Sequence, residues 1–411
     1  MSTESSRSSS VLPEPAERHD LWTLTILSLL MAFASISTDI YLPAMPTMAA
    51  ALHAAPGTAE LTISGYLVGF CLGQLFWGPL SDRFGRRLPI AMGLVLFVAG
   101  SAGCAVAASM ETMVAWRALQ AIGACAGVTL ARAIVRDLYA GTRAASMMST
   151  LMIVTAIAPL VGPSVGGLIL QIAPWRAIFW LLSGIGLVTL GLLYTLPETL
   201  APERRTRAPL SDVFRTYIVL LRQPRLLGYA GVGAFQYGGI FAYVAGTPFA
   251  YITYHHVPPQ YYGLLFALGS IGIMAANLFN VRYVARFGSD RLMRIGAAGA
   301  CAMGVTAAVT AWMGWGGLAG LVVPLFLFIA CNGLIIANAI TGALNLYPGA
   351  AGSVSALVGA SQFGTGILGS ALVGLLADGT PRPLGMAMAC FGIGCAVCAL
   401  MLVRPELAAR T

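Results

Sequence analysis

Asp39 and Arg117 are the two residues of this chain best placed to do chemistry. Asp39 stands alone in 21–45, a stretch otherwise almost free of charge and long enough to cross a bilayer, which takes about 20 apolar residues. Arg117 lies in a second such stretch, 112–136. A carboxylate in the membrane interior is costly and is kept to do chemistry or to hold a partner. With a rise of about 1.5 Å per residue, both charges lie at similar depths below the same end of their segments. An ion pair, direct or through Gln120 at i+3 from Arg117, is geometrically open. Desolvation favours the neutral form of a carboxylic acid and a nearby guanidinium favours the charged form. A change in water access or ligand occupancy would then make such an acid take up or release a proton. A purely structural Asp–Arg pair that fixes helix packing is the alternative, and the two roles are compatible.

The elements that position these residues are membrane spans. The chain has 411 residues, 58% hydrophobic and 9% charged, against about 25% charge in a soluble domain. Twelve segments have the length and apolarity of a spanning helix: about 22–45, 58–80, 88–109, 112–136, 145–170, 174–196, 226–252, 259–283, 292–314, 318–342, 350–376 and 382–402. Barrel strands alternate and run to only about 10 residues, so a β-barrel is excluded. The expectation is an all-α membrane protein of twelve transmembrane helices. Its parts are a disordered tail over 1–20, a six-helix half over 21–196, a charged linker over 197–225, a second six-helix half over 226–402 and a tail over 403–411. An amphipathic surface helix is expected near 209–221.

The 23 basic residues are all arginine, and the net charge is +8. Nineteen arginines fall in the tails and in alternate loops, against Arg176 and Arg382 on the other face. That asymmetry is the positive-inside pattern and not a nucleic-acid surface, and it puts both termini in the cytoplasm. The eight cysteines lie scattered in apolar runs and read as small buried hydrophobes. His255 and His256 share a loop with no carboxylate or cysteine nearby in sequence, so no metal or other cofactor is expected.

Other polar groups suggest a binding cavity. In the second half Gln236, Tyr237, Phe241, Tyr243, Asn277, Asn332, Asn338 and Gln362 fall on spans, and with Tyr41 and Gln120 they would line a site for a mostly apolar molecule with a few hydrogen-bonding groups. Packing or interfacial anchoring is the competing role for each aromatic. Glu60 and Glu111 begin spans and are expected to cap helices or meet solvent, although Glu60 could line an entrance. Gly65, Gly69 and Gly73 form a small-residue stripe that permits close helix approach. Pro163, among Gly162, Gly166 and Gly167, predicts a bend or hinge.

Four motifs carry a family resemblance that spans about 20–402. Gly78-Pro79-Leu80-Ser81-Asp82-Arg83-Phe84-Gly85-Arg86-Arg87 resembles the loop 2–3 signature of the major facilitator superfamily. Arg117-Ala118-Leu119-Gln120 with Gly123 resembles the span 4 signature of its proton-coupled members. Gly162-Pro163-Ser164-Val165-Gly166-Gly167 resembles the span 5 antiporter signature, and Asp39 to Pro46 resembles span 1 of the bicyclomycin and chloramphenicol resistance group. The resemblance implies a two-half major facilitator fold and a twelve-span drug:proton antiporter of the bacterial inner membrane. Asp39 and Arg117 would handle the proton. Gly78, Asp82, Arg83, Gly85, Arg86, Arg87 and Asp137 would form a conformational latch, and Gly162, Pro163, Gly166 and Gly167 would set the direction of export. The expected partners are protons, membrane lipid and a small amphiphilic drug such as a phenicol- or bicyclomycin-like compound. Export of an amino acid or other small metabolite is the alternative, and a non-transporting receptor a third. The resemblance implies that the proton gradient supplies the energy, and a monomer would suffice.

Overall fold

The computed structural model describes residues 15–201, 203, 205, 219–347 and 351–403. With no water in the hydrocarbon core, each spanning segment must satisfy its backbone internally, and the described segments do so as helices. They are α1 (Pro15–Asp39), α2 (Leu61–Phe84), α3 (Arg87–Val106), α4 (Met110–Leu138), α5 (Gly141–Ile172), α6 (Arg176–Leu193), α7 (Pro224–Pro248), α8 (Pro259–Phe287), α9 (Ser289–Met313), α10 (Gly317–Leu346, broken at Cys331), α11 (Ala351–Leu375) and α12 (Arg382–Val397). No strand occurs among the described residues. Eleven segments are long and apolar enough to cross a membrane. The remaining helix, α7, is 25 residues long, but Arg225, Gln236 and three tyrosines dilute its apolar character. The protein is therefore an all-α membrane protein of eleven to twelve spans in two lobes. Most of the surface helix expected over 209–221 lies outside the described residues, as do 1–14 and 404–411.

The first span breaks where chemistry is expected. α1 ends at Asp39, a 3-10 turn covers Leu42–Ala44 with Pro43 in its first turn, and a short helix follows over Met45–Ala51. Pro43 lacks the amide that would continue the α1 ladder. By contrast, α5 continues as one helix through Pro159 and Pro163.

Helices α2, α3, α4 and α6 pack together in the first half, and α7 with α11 and α9 with α12 in the second. The halves meet along two helix pairs, α2 with α11 and α5 with α8. Along the first seam Gly57 faces Gly374, Ser64 bonds Ser370 (Oγ to Oγ, 2.8 Å), and the Phe70 and Phe363 rings lie 5.0 Å apart. Along the second, Gly167 faces Pro259 and Gln260, and Ser164 faces Gly263. These contacts lie in the part of the molecule away from the arginine-rich loops, so the halves are closed against each other at the opposite face. The glycine stripe of α2 does not serve this seam. A Cβ at Gly69 would overlap the Ala118 carbonyl, so the stripe packs α2 onto α4 within one half.

Candidate functional site

Arg117 is 0% exposed, the largest fully buried side chain among the described residues. Its guanidinium carbon lies 4.2 Å from the Tyr41 ring centroid and 4.4 Å from that of Tyr66, so two aromatic faces hold it. Nη1 donates to the Ser37 carbonyl at 2.8 Å and to Gln120 Oε1. Gln120 Nε2 passes the chain on to Ser101 Oγ at 2.8 Å. Tyr66 shares a hydrogen bond with Ser37 Oγ (2.7 Å), and Tyr41 shares one with Thr62 Oγ1 (2.9 Å). Arg117 Nε and Nη2 have no hydrogen-bond partner and meet the rings. Four helices thus build one enclosed polar cluster around a buried cation.

Asp39 ends α1 at 6% exposure. The ion pair with Arg117 that the sequence leaves open is not formed: both ion pairs among the described residues belong to Arg86. The reason is the break after Asp39, which turns Tyr41 and not Asp39 onto the guanidinium. Removing a charge from water costs several kcal/mol. Two desolvated ring contacts of about 2 kcal/mol each, with two hydrogen bonds, offset part of that cost without a counter-ion. Asp39 instead faces the glycine segment of α5. A Cβ at Gly162 would stand 3.3 Å from Asp39 Cβ, and one at Gly166 would overlap the Ile40 carbonyl oxygen.

The residues expected to line a cavity divide into two sets. Tyr237 and Phe241 are half-buried on α7 and meet Phe363 of α11 at 6.0 and 6.4 Å. Through Phe363 they reach Phe70 of the first half, giving a four-ring cluster across the seam. The other residues are largely engaged in helix packing. Tyr41 and Gln120 belong to the Arg117 cluster, Tyr243 packs on Phe266 (5.5 Å), and Asn338 Nδ2 bonds Asn280 Oδ1 (2.6 Å). Gln236 donates to the Phe328 carbonyl at 3.2 Å, and Asn277 is exposed on α8. Gln236 Oε1, Gln362 Nε2 and Asn332 Oδ1 are buried without partners. Phe70 and Phe363 escape sequence reasoning because phenylalanine in an apolar run carries no signal of its facing.

At the arginine-rich face the loop between α2 and α3 is knit by one residue. Arg86 bonds Asp82 Oδ1 (2.6 Å), Ser81 Oγ (2.7 Å) and Asp137 Oδ2 (2.7 Å). Glu198, just past α6, accepts from the backbone amides of Arg86 (2.8 Å), Arg87 (3.1 Å), Thr199 (3.0 Å) and Leu200 (3.0 Å). It thereby caps the start of α3, where anions are favoured. Burial acts to raise its carboxyl, but the four amides outweigh it and hold Glu198 below the usual carboxylate range. Gly85 has φ +94°, and a Cβ there would press on Glu198 Oε2 at 2.6 Å, which explains glycine at that position. Arg83 lies over Phe84 (5.7 Å), Arg87 lies over Tyr194 (5.0 Å), and Gly78 has open space around it. In the sequence Glu198 is one charge among many in the linker, with nothing to mark this role.

Of the acids expected near the other face, Glu111 is exposed beside a Ser109–Thr112 capping box. Glu60 departs from the capping and solvated readings, while it does line a cavity at that face. It occupies the cap position of α2 but makes no capping bond, is 3% exposed, and leaves Oε2 unpartnered. Among the described residues no group of histidine, cysteine or acidic side chains is arranged to hold a metal.

Comparison with known proteins agrees with this architecture. The Major Facilitator Superfamily matches residues 27–370. An uncharacterized MFS-type transporter of Bacillus subtilis, YdgK, is 36% identical over 92% of this chain and 94% of its own. A bicyclomycin resistance protein homolog of Haemophilus influenzae is 32% identical over 89% of this chain and 91% of its own. The partially occluded inward-open xylose transporter XylE of Escherichia coli superposes with a TM-score of 0.71 at 16% identity, covering 92% of this chain and 96% of its own, which shows the fold. With two helical lobes, a seam between them and full-length relatives of this kind, the chain belongs to the major facilitator superfamily, as a multi-span bacterial inner-membrane transporter that works by alternating access.

Proposed function

We propose that this transporter exchanges incoming protons for an outgoing small amphiphilic molecule, with Asp39 as the group that binds and releases the proton. Nineteen arginines on one face support placing that face, and both termini, in the cytoplasm. The observation that carries the reading is the Arg117 cluster. A fully buried guanidinium with two nitrogens that have no hydrogen-bond partner is bonded to the α1 backbone at Ser37, two residues before a buried acid. Ionisation of Asp39 places an anion near that cation, and protonation removes it. The balance between the two states of α1 then depends on the proton. Gly162 and Gly166 hold α5 against the same turn, so a rearrangement at Asp39 is felt along the α5–α8 seam. The Asp82–Arg86–Asp137 cluster, with Glu198 on the Arg86 amide, ties the loop between α2 and α3 to the end of α4 at the arginine-rich face, where it would act as a latch. The single chain holds both halves of the pathway, and a monomer suffices.

For the cargo, three unpartnered buried amide atoms, on Gln236, Gln362 and Asn332, favour a molecule with hydrogen-bonding groups. A small metabolite of that chemistry, seated against the Phe70, Tyr237, Phe241 and Phe363 rings, is the first reading. A small antimicrobial, phenicol- or bicyclomycin-like, is the second, and the name of the Haemophilus influenzae relative favours it. Everted membrane vesicles given a pH gradient and a panel of both compound classes test the proposal. Uptake of at least one class should require the gradient and collapse with a protonophore. Uptake insensitive to the gradient for every transported compound would overturn proton exchange.

A further inference from the structure

Among the described residues, Glu60 is the one buried acid that the Asp39–Arg117 account leaves unused. It stands at the start of α2 on the seam with α11, between Gly57, which abuts Gly374, and Ser64, which bonds Ser370. A Cβ on Gly374 would lie 3.2 Å from Glu60 Cβ, so the side chain is clamped against the other half. Its Oε2 has no partner, and it lines a cavity of about 300 Å³ at the opposite face. The walls of that cavity come from both halves: Ala49 and Ala54 on one side, Phe249, Val373 and Leu384 on the other.

The charged and titratable groups around it are few. His53 and Tyr254 line the same cavity. Asp378 stands on the neighbouring loop and Arg382 begins α12, but Asp378 is engaged with Thr380 (2.6 Å) and Arg382 lies over Trp312 (5.0 Å). Helix α11 carries no ionisable side chain over 351–375, and the charges of α2 and α7, Asp82, Arg83 and Arg225, lie at their far ends. Among the described residues no basic side chain pairs with Glu60 while the seam is closed, and what favours its charged form is the start of α2 with its own backbone amide.

We infer that Glu60 is a second proton-binding site, reached through this cavity from the opposite face, and that its neutral form holds the α2–α11 seam shut. When the seam parts, water reaches the carboxylate and the ionised form becomes affordable, so deprotonation favours opening. Burial pushes the Glu60 carboxyl up to about 7, its own backbone amide working weakly the other way. The sign follows from linkage. An acid whose pKa is higher in the closed state favours closure fully below its solvated value, about 4.5, and loses that advantage as pH rises through about 7. Between those limits each pH unit changes the ratio of open to closed by up to about tenfold. The role rests on alternating access and not on Asp39 as the coupling acid.

Hydrogen–deuterium exchange of the full chain in lipid nanodiscs, corrected for intrinsic rates, tests it at segments 53–61 and 370–382. The wild type should be protected at pH 5 and lose protection by tenfold or more at pH 8. Glu60→Gln, which keeps the shape of the neutral acid, should stay protected at both. His53→Ala and Asp39→Asn should retain the wild-type response. A Glu60→Gln protein that opens with pH like the wild type overturns the inference, as does loss of the response in His53→Ala. Loss of gradient-driven transport in Asp39→Asn with this response intact would leave the two roles separate.

Discussion

Gly166 of α5 lies directly against the carbonyl oxygen of Ile40, the residue that follows Asp39. One turn earlier Gly162 faces Asp39 itself, with more room. The span 5 glycines therefore touch the break in span 1 where the acid sits. That contact gives the antiporter-like segment a physical link to the proposed proton site.

The two glycines should respond differently to a methyl group. At Gly166 the new Cβ would overlap backbone, which cannot yield as a flexible side chain can, and overpacking of this kind costs about 1–3 kcal/mol. Gly166→Ala should lower gradient-driven transport about tenfold or more, with protein still in the membrane. Gly162→Ala meets Asp39 Cβ at 3.3 Å and needs only a few tenths of an ångström of adjustment. Its loss should be no more than a few-fold. Transport rates normalised to membrane-inserted protein decide, and equal effects would contradict the packing described.

Arg117 should resist conservative replacement. A lysine ammonium cannot lie flat between two rings while bonding Ser37 and Gln120. Arg117→Lys and Arg117→Ala should both change the pH profile of cargo binding in purified protein. Tyr66→Phe keeps the aromatic face, whereas Tyr66→Leu removes it and should cost about 1–2 kcal/mol in thermal unfolding. An unchanged pH profile in both arginine variants would separate Arg117 from proton handling.

Glu198 should matter to stability in a pH-dependent way. Its carboxyl is held low by four amides, so its contribution is present above the unfolded carboxylate range, near 4.5, and is lost as pH falls through the lower folded value. Glu198→Ala removes a cap of α3 and should cost about 0.5–2 kcal/mol at pH 7. The difference in melting temperature between wild type and variant should shrink below pH 4. A difference that is constant with pH would mean that the charge is not what matters.

Much of this was legible in the sequence, for identifiable reasons. Lipid forbids unsatisfied backbone, so apolar run length alone marks nearly every helix. Among the described spans only α7, diluted by Arg225, Gln236 and its tyrosines, falls short in apolarity. Asp39 and Arg117 stood out because a charge in an apolar run is conspicuous. Their failure to pair was not legible, since it depends on how Pro43 turns the chain and swings Tyr41 onto the guanidinium. Glu198 was missed because its partners Arg86 and Arg87 lie more than a hundred positions away and it binds their backbone, which has no sequence signature. Glu60 read as a capping or solvated acid because burial against α11 is a property of two helices and not of one.

The central claim is that Asp39 changes protonation once per cycle, and proteoliposomes bearing Asp39→Asn test it most directly. The account predicts that cargo accumulation driven by a pH gradient disappears while cargo–cargo exchange without a gradient persists. Accumulation against a concentration gradient at wild-type level in that variant would contradict it.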